Sequence, residues 1–371
     1  MRFLIISHAL HYREEPIDLV YAYAPYVREM NMWSKHVDEL EIVAPGKNSI
    51  DRIDTAYEIK EITFREIPAI DITSITNALR AFVLTPFILF KIFRAMRRAD
   101  HIHLRCPGNI GLLGCFAQVF FPRKRKTAKY AGNWDPSSKQ PWSYRLQKLI
   151  LANEFLTRNM QVLVYGHWQS TSKNIKPFFT ATYTDADDVE VPTRKYDLPL
   201  RFVFVGALVP GKRPVYALEL VHELIKNGFP SELHFYGDGP ERPKLEEIII
   251  GNELEKMVYL HGNQTMENVR KSYLKSHFLI LPSRSEGWPK VVAEAMWWGV
   301  IPMATPISCV PWMLDHGKRG ILLETVLSQD REKVGTLLLD KARLKAISKD
   351  AVTWSRQYTL DRFEKEIKKL I

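Results

Sequence analysis

Two glutamates, Glu286 and Glu294, bracket seven residues in the run L-P-S-R-S-E-G-W-P-K-V-V-A-E-A-M-W-W-G-V-I-P, residues 281–302. The apolar residues Phe278-Leu279-Ile280-Leu281 before it have the length and character of a short buried strand. Residues 283–287 then read as a turn, Pro289 suits the first position of a helix and Gly299 its end. A strand-turn-helix step leaves backbone N–H groups near Gly287, Trp288 and Lys290 facing whatever lies above the sheet, and a helix start favours an anion. Glu286 falls at that mouth, while Glu294 falls roughly 9–12 Å further along the helix axis. Carboxylates so far apart cannot share one proton or one metal. They can hold separate hydroxyl-bearing groups on either side of an anion, the outline of a nucleotide-sugar.

With S-x-x-E-G-x-P before the helix and E-A-M-x-x-G-x-I-P after it, this segment resembles the E-x7-E signature of the retaining glycosyltransferases of family 4, which have the GT-B fold. The resemblance implies that Glu286 contacts the donor sugar and Glu294 the nucleotide ribose. It extends to Gly206-Ala207-Leu208-Val209-Pro210-Gly211-Lys212-Arg213, where the family usually has G-R-L-x-x-x-K-G. Lys212 keeps the lysine, but Ala207 stands at the arginine position, so Arg213 is expected to supply the second cation beside the leaving diphosphate. Gly206, with the loop Gly237-Asp238-Gly239-Pro240, would lie near the nucleotide, Asp238 and Gly239 included, and Asn263 after the next strand would lie near the base. In the first domain the family often carries H-x-H followed by an acid and Pro. His101-Ile102-His103-Leu104-Arg105-Cys106-Pro107 places Arg105 at the second histidine, as a phosphate clamp rather than a base. His103 is expected to pack. Tyr23, Tyr26, Asn109 and Asn133 are expected to serve the acceptor sugar, although core packing explains the two aromatic stretches as well.

Composition suits a globular chain of about two domains: 371 residues, 46% hydrophobic and 25% charged. Cys106, Cys115 and Cys309 show no paired or metal-like spacing, which suggests a reducing compartment. Residues 3–6 read as a first strand rather than an export signal, so a cytoplasmic location is expected. The net charge of +10 is concentrated: residues 91–130 hold ten Lys or Arg against the single acid Asp100. The apolar run 81–90, too short to span a bilayer, leads into Lys91, Arg94, Arg97 and Arg98. One reading is a core helix with a solvated face. The other is a surface that rests on anionic lipid at the inner face of the plasma membrane, aided by Arg123-Lys124-Arg125-Lys126. Nucleic-acid binding lacks a recognition motif and is not expected.

Strand-like runs at 3–7, 40–44, 101–104 and 161–165 alternate with helical stretches, and a second alternation runs from 201 to 304. The expected organisation is α/β: a GT-B pair of Rossmann-like domains facing each other across a cleft. An acceptor domain spans 1–185, a linker 186–199, a nucleotide-sugar domain 200–345, and a C-terminal segment 346–371 returns to the first domain. Asp185-Ala186-Asp187 spells D-x-D but lacks a preceding hydrophobic strand, so neither a metal site nor a cofactor is expected. The implied activity is transfer of a hexose-like sugar from a UDP- or GDP-linked donor to a glycan or lipid-linked glycan in surface polysaccharide synthesis. An epimerase or hydrolase of the same fold, and a non-catalytic nucleotide-binding module that docks on membranes, are the alternatives.

Overall fold

The computed structural model describes residues 1–169, 172–191 and 193–371. It divides into two compact units, residues 1–178 with 363–371, and residues 179–362. The segment 186–199, expected as a linker, lies within the second unit. Of the segment 346–371, only 363–371 groups with the first.

The first unit contains β1 (Arg2–Ile6), β2 (His11–Glu14), β3 (Leu19–Tyr23), α1 (Ala24–Ser34), β4 (Glu39–Pro45), β5 (Asp54–Ala56), β6 (Ile62–Ile67) and α2 (Ile75–Arg98). It continues with β7 (His101–Cys106), α3 (Asn109–Ala117), β8 (Arg125–Tyr130), α4 (Trp142–Ala152), β9 (Met160–Tyr165) and β10 (Ile175–Phe178). Seven parallel strands run in the order β10-β9-β8-β7-β1-β4-β6, with β2, β3 and β5 forming a small antiparallel sheet. Strands such as Phe3-Leu4-Ile5-Ile6 are apolar throughout and buried, as a sheet covered on both faces requires. Residues of α2, α3 and α4 share one core with β1 and β7.

Helix α2 differs from its sequence reading. It begins at Ser74, whose side chain accepts from the Asn77 N–H at 3.2 Å, and runs 24 residues through Pro86. Among the described residues it is the one helix long and apolar enough to cross a membrane by length and composition. Only Ala81, Ile88, Ile92, Ala95 and Met96 are buried against the unit.

The second unit contains β11 (Leu200–Val205), α5 (Pro214–Lys226), β12 (Ser231–Tyr236), α6 (Arg242–Gly251), β13 (Val258–Leu260), α7 (Met266–Lys275) and β14 (Phe278–Leu281). Then follow α8 (Lys290–Trp297), β15 (Ile301–Ala304), α9 (Val310–Met313), β16 (Ile321–Leu322), α10 (Leu327–Leu338), α11 (Lys341–Ser355) and α12 (Leu360–Leu370), which crosses the boundary at Phe363. The sheet order is β13-β12-β11-β14-β15-β16, all parallel. Each unit is thus a Rossmann-like α/β fold.

Polar side chains inside the first unit carry a pH consequence. His11 is fully buried, its Nδ1–H donating to the Ala9 carbonyl at 2.8 Å and its Nε2 facing the Tyr57 hydroxyl at 2.9 Å. His101 and His103 both reach the Thr127 hydroxyl, at 2.9 and 2.8 Å. Burial pushes His11 and His101 down to about 4, and holds His103 well below the usual histidine value. A folded-state value below that of the unfolded chain favours folding above the unfolded value of about 6.5, and the benefit fades as pH drops toward 4. The slope is about 1.4 kcal/mol per pH unit for each ring. The melting temperature should fall steeply between neutral pH and the folded-state values, and His101→Gln should shallow that slope. An unchanged slope in the variant would mean the ring is not held neutral by burial.

Candidate active site

In the second unit, β11 is the strand from which the chain winds outward in both directions, to β12 and β13 on one side and to β14, β15 and β16 on the other. Open α/β sheets bind ligands outside the carboxyl ends of the strands at such a switch point. The loops leaving β11 and β14 flank it, and they carry Lys212 and Glu286.

Main-chain contact holds the β11 loop in place. Gly206 donates to the Tyr236 carbonyl at 2.9 Å, Leu208 to that of Asp238 at 2.9 Å, and Glu241 to that of Leu208 at 2.9 Å. Gly237 donates to the Gly262 carbonyl at 2.8 Å. The approach admits no side chain at two points. A Cβ on Gly237 (φ +140°) would lie 2.0 Å from the Gly206 oxygen, and one on Gly239 (φ +156°) 2.5 Å from the Leu208 oxygen. By contrast, a Cβ on Gly206 or Gly211 would meet nothing within 4 Å, so the loop is open on its other side.

At the end of this loop Arg213 adopts the left-handed conformation (φ 52°) and caps α5, which starts with Pro214. The amide of Arg284 donates to the Gly211 carbonyl at 2.8 Å, joining the β11 and β14 loops across the switch point. The Lys212 ammonium then pairs directly with the Glu286 carboxylate. These side chains are 27% and 11% exposed, so the pair is reachable from solvent. The turn carrying Glu286 is braced from below: Thr305 Oγ1 donates to the Ser283 carbonyl at 2.6 Å, and Ser308 Oγ to that of Gly287 at 2.9 Å. Helix α8 starts at Lys290 with Pro289 as its cap, one position later than the sequence suggests. It ends before Gly299, whose φ of +71° suits the left-handed stop.

Glu294 lies half-buried on α8 and accepts from the Thr182 hydroxyl at 2.7 Å. Burial raises its pKa, opposed by Thr182 and by the Lys290 charge. It lines a crevice of about 10 Å³ with Thr180, Thr182, Trp288 and Lys290, room for about one water. A ribose reaching this carboxylate would meet one oxygen already engaged by Thr182. The Trp288 ring is buried among Trp312, Trp354 and Tyr358, so its indole packs rather than facing the opening. Asp238 and Asn263 are exposed at the same sheet edge, Asp238 accepting from the Gly239 amide at 2.8 Å.

In the first unit Arg105 is drawn into a buried triad. Its Nη1 lies 2.5 Å from Glu29, and the Lys129 ammonium lies 2.9 Å from the same oxygen. Although burial opposes ionisation of Glu29, the two cations hold its carboxyl well below the usual range. Acting as a phosphate clamp would have to use the guanidinium N–H groups that Glu29 does not engage, or free those that it does. Tyr26 is buried beneath the Arg105 guanidinium at 5.6 Å, Asn109 Nδ2 donates to the Ile70 carbonyl at 3.0 Å, and Asn133 Oδ1 accepts from the Asp135 amide at 2.9 Å. Tyr23 is half exposed on β3. Of the four expected acceptor residues, it alone offers its ring to solvent.

Sequence reasoning passed over Thr182, Glu29, Lys129 and Arg194. Arg194 Nε donates to the Gly299 carbonyl at 2.9 Å and its Nη2 to that of Tyr273 at 2.9 Å, with a further bond to Trp298. These are carbonyls at the ends of α7 and α8, where helical pairing runs out; that of Tyr273 also accepts from the Ser276 amide at 3.2 Å. Burial lowers this guanidinium to about 10. Nothing local in the sequence marks any of the four, because each partner is remote in the chain. Asp187, from the D-x-D, turns back to accept from the Thr184 amide and hydroxyl, both at 2.8 Å.

Residues 186–354 match the family model described as Glycosyl transferases group 1. An uncharacterized glycosyltransferase of Methanocaldococcus jannaschii is 25% identical over 169 residues, 45% of this chain and 46% of that protein. The alpha-D-kanosaminyltransferase of Streptomyces kanamyceticus is 25% identical over 166 residues, 43% of each. The chain thus spans less than half the length of these relatives. Over whole lengths it resembles the lipopolysaccharide outer core galactosyltransferase WaaB (TM-score 0.72, 16% identity, 100% and 99% covered). It also resembles Anabaena HepE in complex with UDP (TM-score 0.67, 14% identity, 100% and 99% covered). Likeness at such identity establishes the fold, GT-B.

Proposed function

We propose that this chain is a retaining, metal-independent glycosyltransferase working on the cytoplasmic side of a membrane. It would move a sugar from a UDP- or GDP-linked donor to a glycan or lipid-linked glycan in surface polysaccharide synthesis. The observation that carries this reading is the Lys212–Glu286 pair at the switch point of the second sheet. Each partner offers the complement of one part of the donor: the ammonium suits a phosphate oxygen, and the carboxylate suits sugar hydroxyls. Donor binding would exchange their mutual bond for these two. The likeness to a UDP-bound structure supports the donor class.

In the proposed reaction the acceptor oxygen attacks the anomeric carbon from the face the diphosphate leaves. The bond from that carbon to the phosphate oxygen breaks, and the acceptor proton passes to the departing phosphate. Lys212 and Arg213 neutralise the charge that develops on the diphosphate, and Glu286 fixes the sugar ring against the acceptor. Gly206, Asp238, Gly239, Asn263 and Gly287 would line the donor site. No protein nucleophile is needed.

Glu286→Gln should cut transfer by about 100- to 1000-fold, the usual scale for a lost polar group at a reacting centre, with an unchanged melting curve. Near-normal turnover would remove Glu286 from the reacting centre. Glu294→Ala should raise the donor KM more than it lowers kcat, while also lowering the melting temperature because Thr182 loses its acceptor. A lower melting temperature with an unchanged KM would leave Glu294 with a purely structural task. Assayed without an acceptor, the protein should leave the donor intact; rapid donor turnover would favour the epimerase or hydrolase reading.

Transfer should also persist in excess EDTA, since fixed cations supply the neutralising charge. Loss of activity in chelator, restored by Mg²⁺ or Mn²⁺, would overturn metal independence and return attention to Asp185 and Asp187.

A further inference from the structure

Helix α2 has two apolar faces, and the unit needs only one. Ala81, Ile88, Ile92, Ala95 and Met96 fill the core. At 100° per residue the opposite arc gathers Ile75, Leu79, Phe82, Val83, Phe87 and Phe90. These side chains are largely in solvent: Ile75 is 84% exposed, Phe82 79% and Phe90 63%. The surplus continues onto the neighbouring helices of the same layer. Phe120, just past α3, lies 5.3 Å from Phe93 of α2 and is itself exposed, as are Trp142 and Leu149 on α4. An exposed apolar surface running over several elements of one layer marks an interaction face.

Charge says what covers it. Arg80, Arg94, Arg97 and Arg98 on α2 and Arg145 on α4 are exposed, and none makes an ion pair among the described residues. Lys91 lies 4.7 Å over the Phe87 ring, its ammonium donating to the Glu66 carbonyl at 2.7 Å. Aromatic and aliphatic side chains interleaved with unneutralised cations fit one environment well, the boundary between acyl chains and anionic headgroups. A span through the bilayer would instead tear the buried arc of α2 from the sheet.

We propose that the α2–α3–α4 face of the first unit seats on an anionic bilayer, with Phe82, Val83 and Phe90 entering the acyl boundary and the arginines meeting lipid phosphates. Because α2 descends from the carboxyl end of β6, its inserted first half lies beside the sheet edge where an α/β unit receives ligands. The lipid surface therefore adjoins that edge, which suits a lipid-borne acceptor. Membrane seating itself does not rest on the proposed reaction; only the choice of acceptor does.

The test is co-sedimentation of the full chain with vesicles of phosphatidylcholine alone and of equal phosphatidylcholine and phosphatidylglycerol, at low and high salt. The protein should bind the anionic vesicles, release in high salt, and be extracted by alkaline carbonate. The double variant Phe82→Asp with Phe90→Asp should bind about tenfold more weakly, while its melting curve and its thermal protection by UDP or GDP stay unchanged. Intact nucleotide protection with lost vesicle binding separates this surface from the donor site. Equal, negligible binding to both vesicle types would overturn the proposal, as would resistance to carbonate extraction. Wild-type binding by the variant, or a dimer that covers this face and persists with vesicles present, would also overturn it.

Discussion

The candidate site depends on how closely two stretches of main chain can approach. The loop after β11 lies directly on the loop after β12, so near that a Cβ on Gly237 would stand 2.0 Å from the Gly206 oxygen. That contact, with the amide bonds from Gly206, Leu208 and Glu241, removes the freedom a glycine-containing loop would otherwise have. The far side of the loop is consequently open, and Lys212 is delivered to the other side of the switch point, against Glu286. Parallel strands set the loop origins, glycines allow the approach, and the ion pair follows from both.

Buried charge in this protein takes two forms. Glu29 with Arg105 and Lys129, and Arg194 among helix-terminal carbonyls, are buried sets in which Glu29 and Arg194 are the members that the others share. Their task is to hold elements together: α1 against β7 and β8 in one case, the ends of α7 and α8 in the other. Lys212 and Glu286 differ because both remain partly exposed and, among the described residues, each is served by a single charged partner. Such a pair can exchange partners at modest cost, as a binding site requires.

Much of this was legible in the chain. Continuous apolar runs gave the parallel strands, and glycines after strands gave the loops at the sheet edge. The spacing of Glu286 and Glu294, with Pro289 and Gly299 around them, gave the turn and helix. What escaped the reading has a common physical origin in long-range partnership. Thr182 meets Glu294 across 112 positions and Arg105 meets Glu29 across 76, distances at which no local pattern survives. Cys106 and Cys115, unremarkable in spacing, come within 3.8 Å as thiols because α3 folds back on β7. Helix α2 was read too short for a different reason. Its first turn and a half, with Thr76, Asn77 and Arg80 among the apolar residues, hid the start, which the Ser74 cap sets six positions before the apolar run.

The central claim is that donor binding replaces the Lys212–Glu286 bond with one from Lys212 to phosphate. Calorimetric titration with the bare nucleoside diphosphate, UDP or GDP, tests it without the complication of the sugar. Lys212→Met should weaken binding by about 10- to 100-fold, the value of one charge-assisted hydrogen bond at about 1.5–3 kcal/mol. Glu286→Gln should bind the diphosphate at least as tightly as the unaltered protein, because the lysine no longer has to be freed. Equal weakening in both variants, or no change in either, would contradict the account.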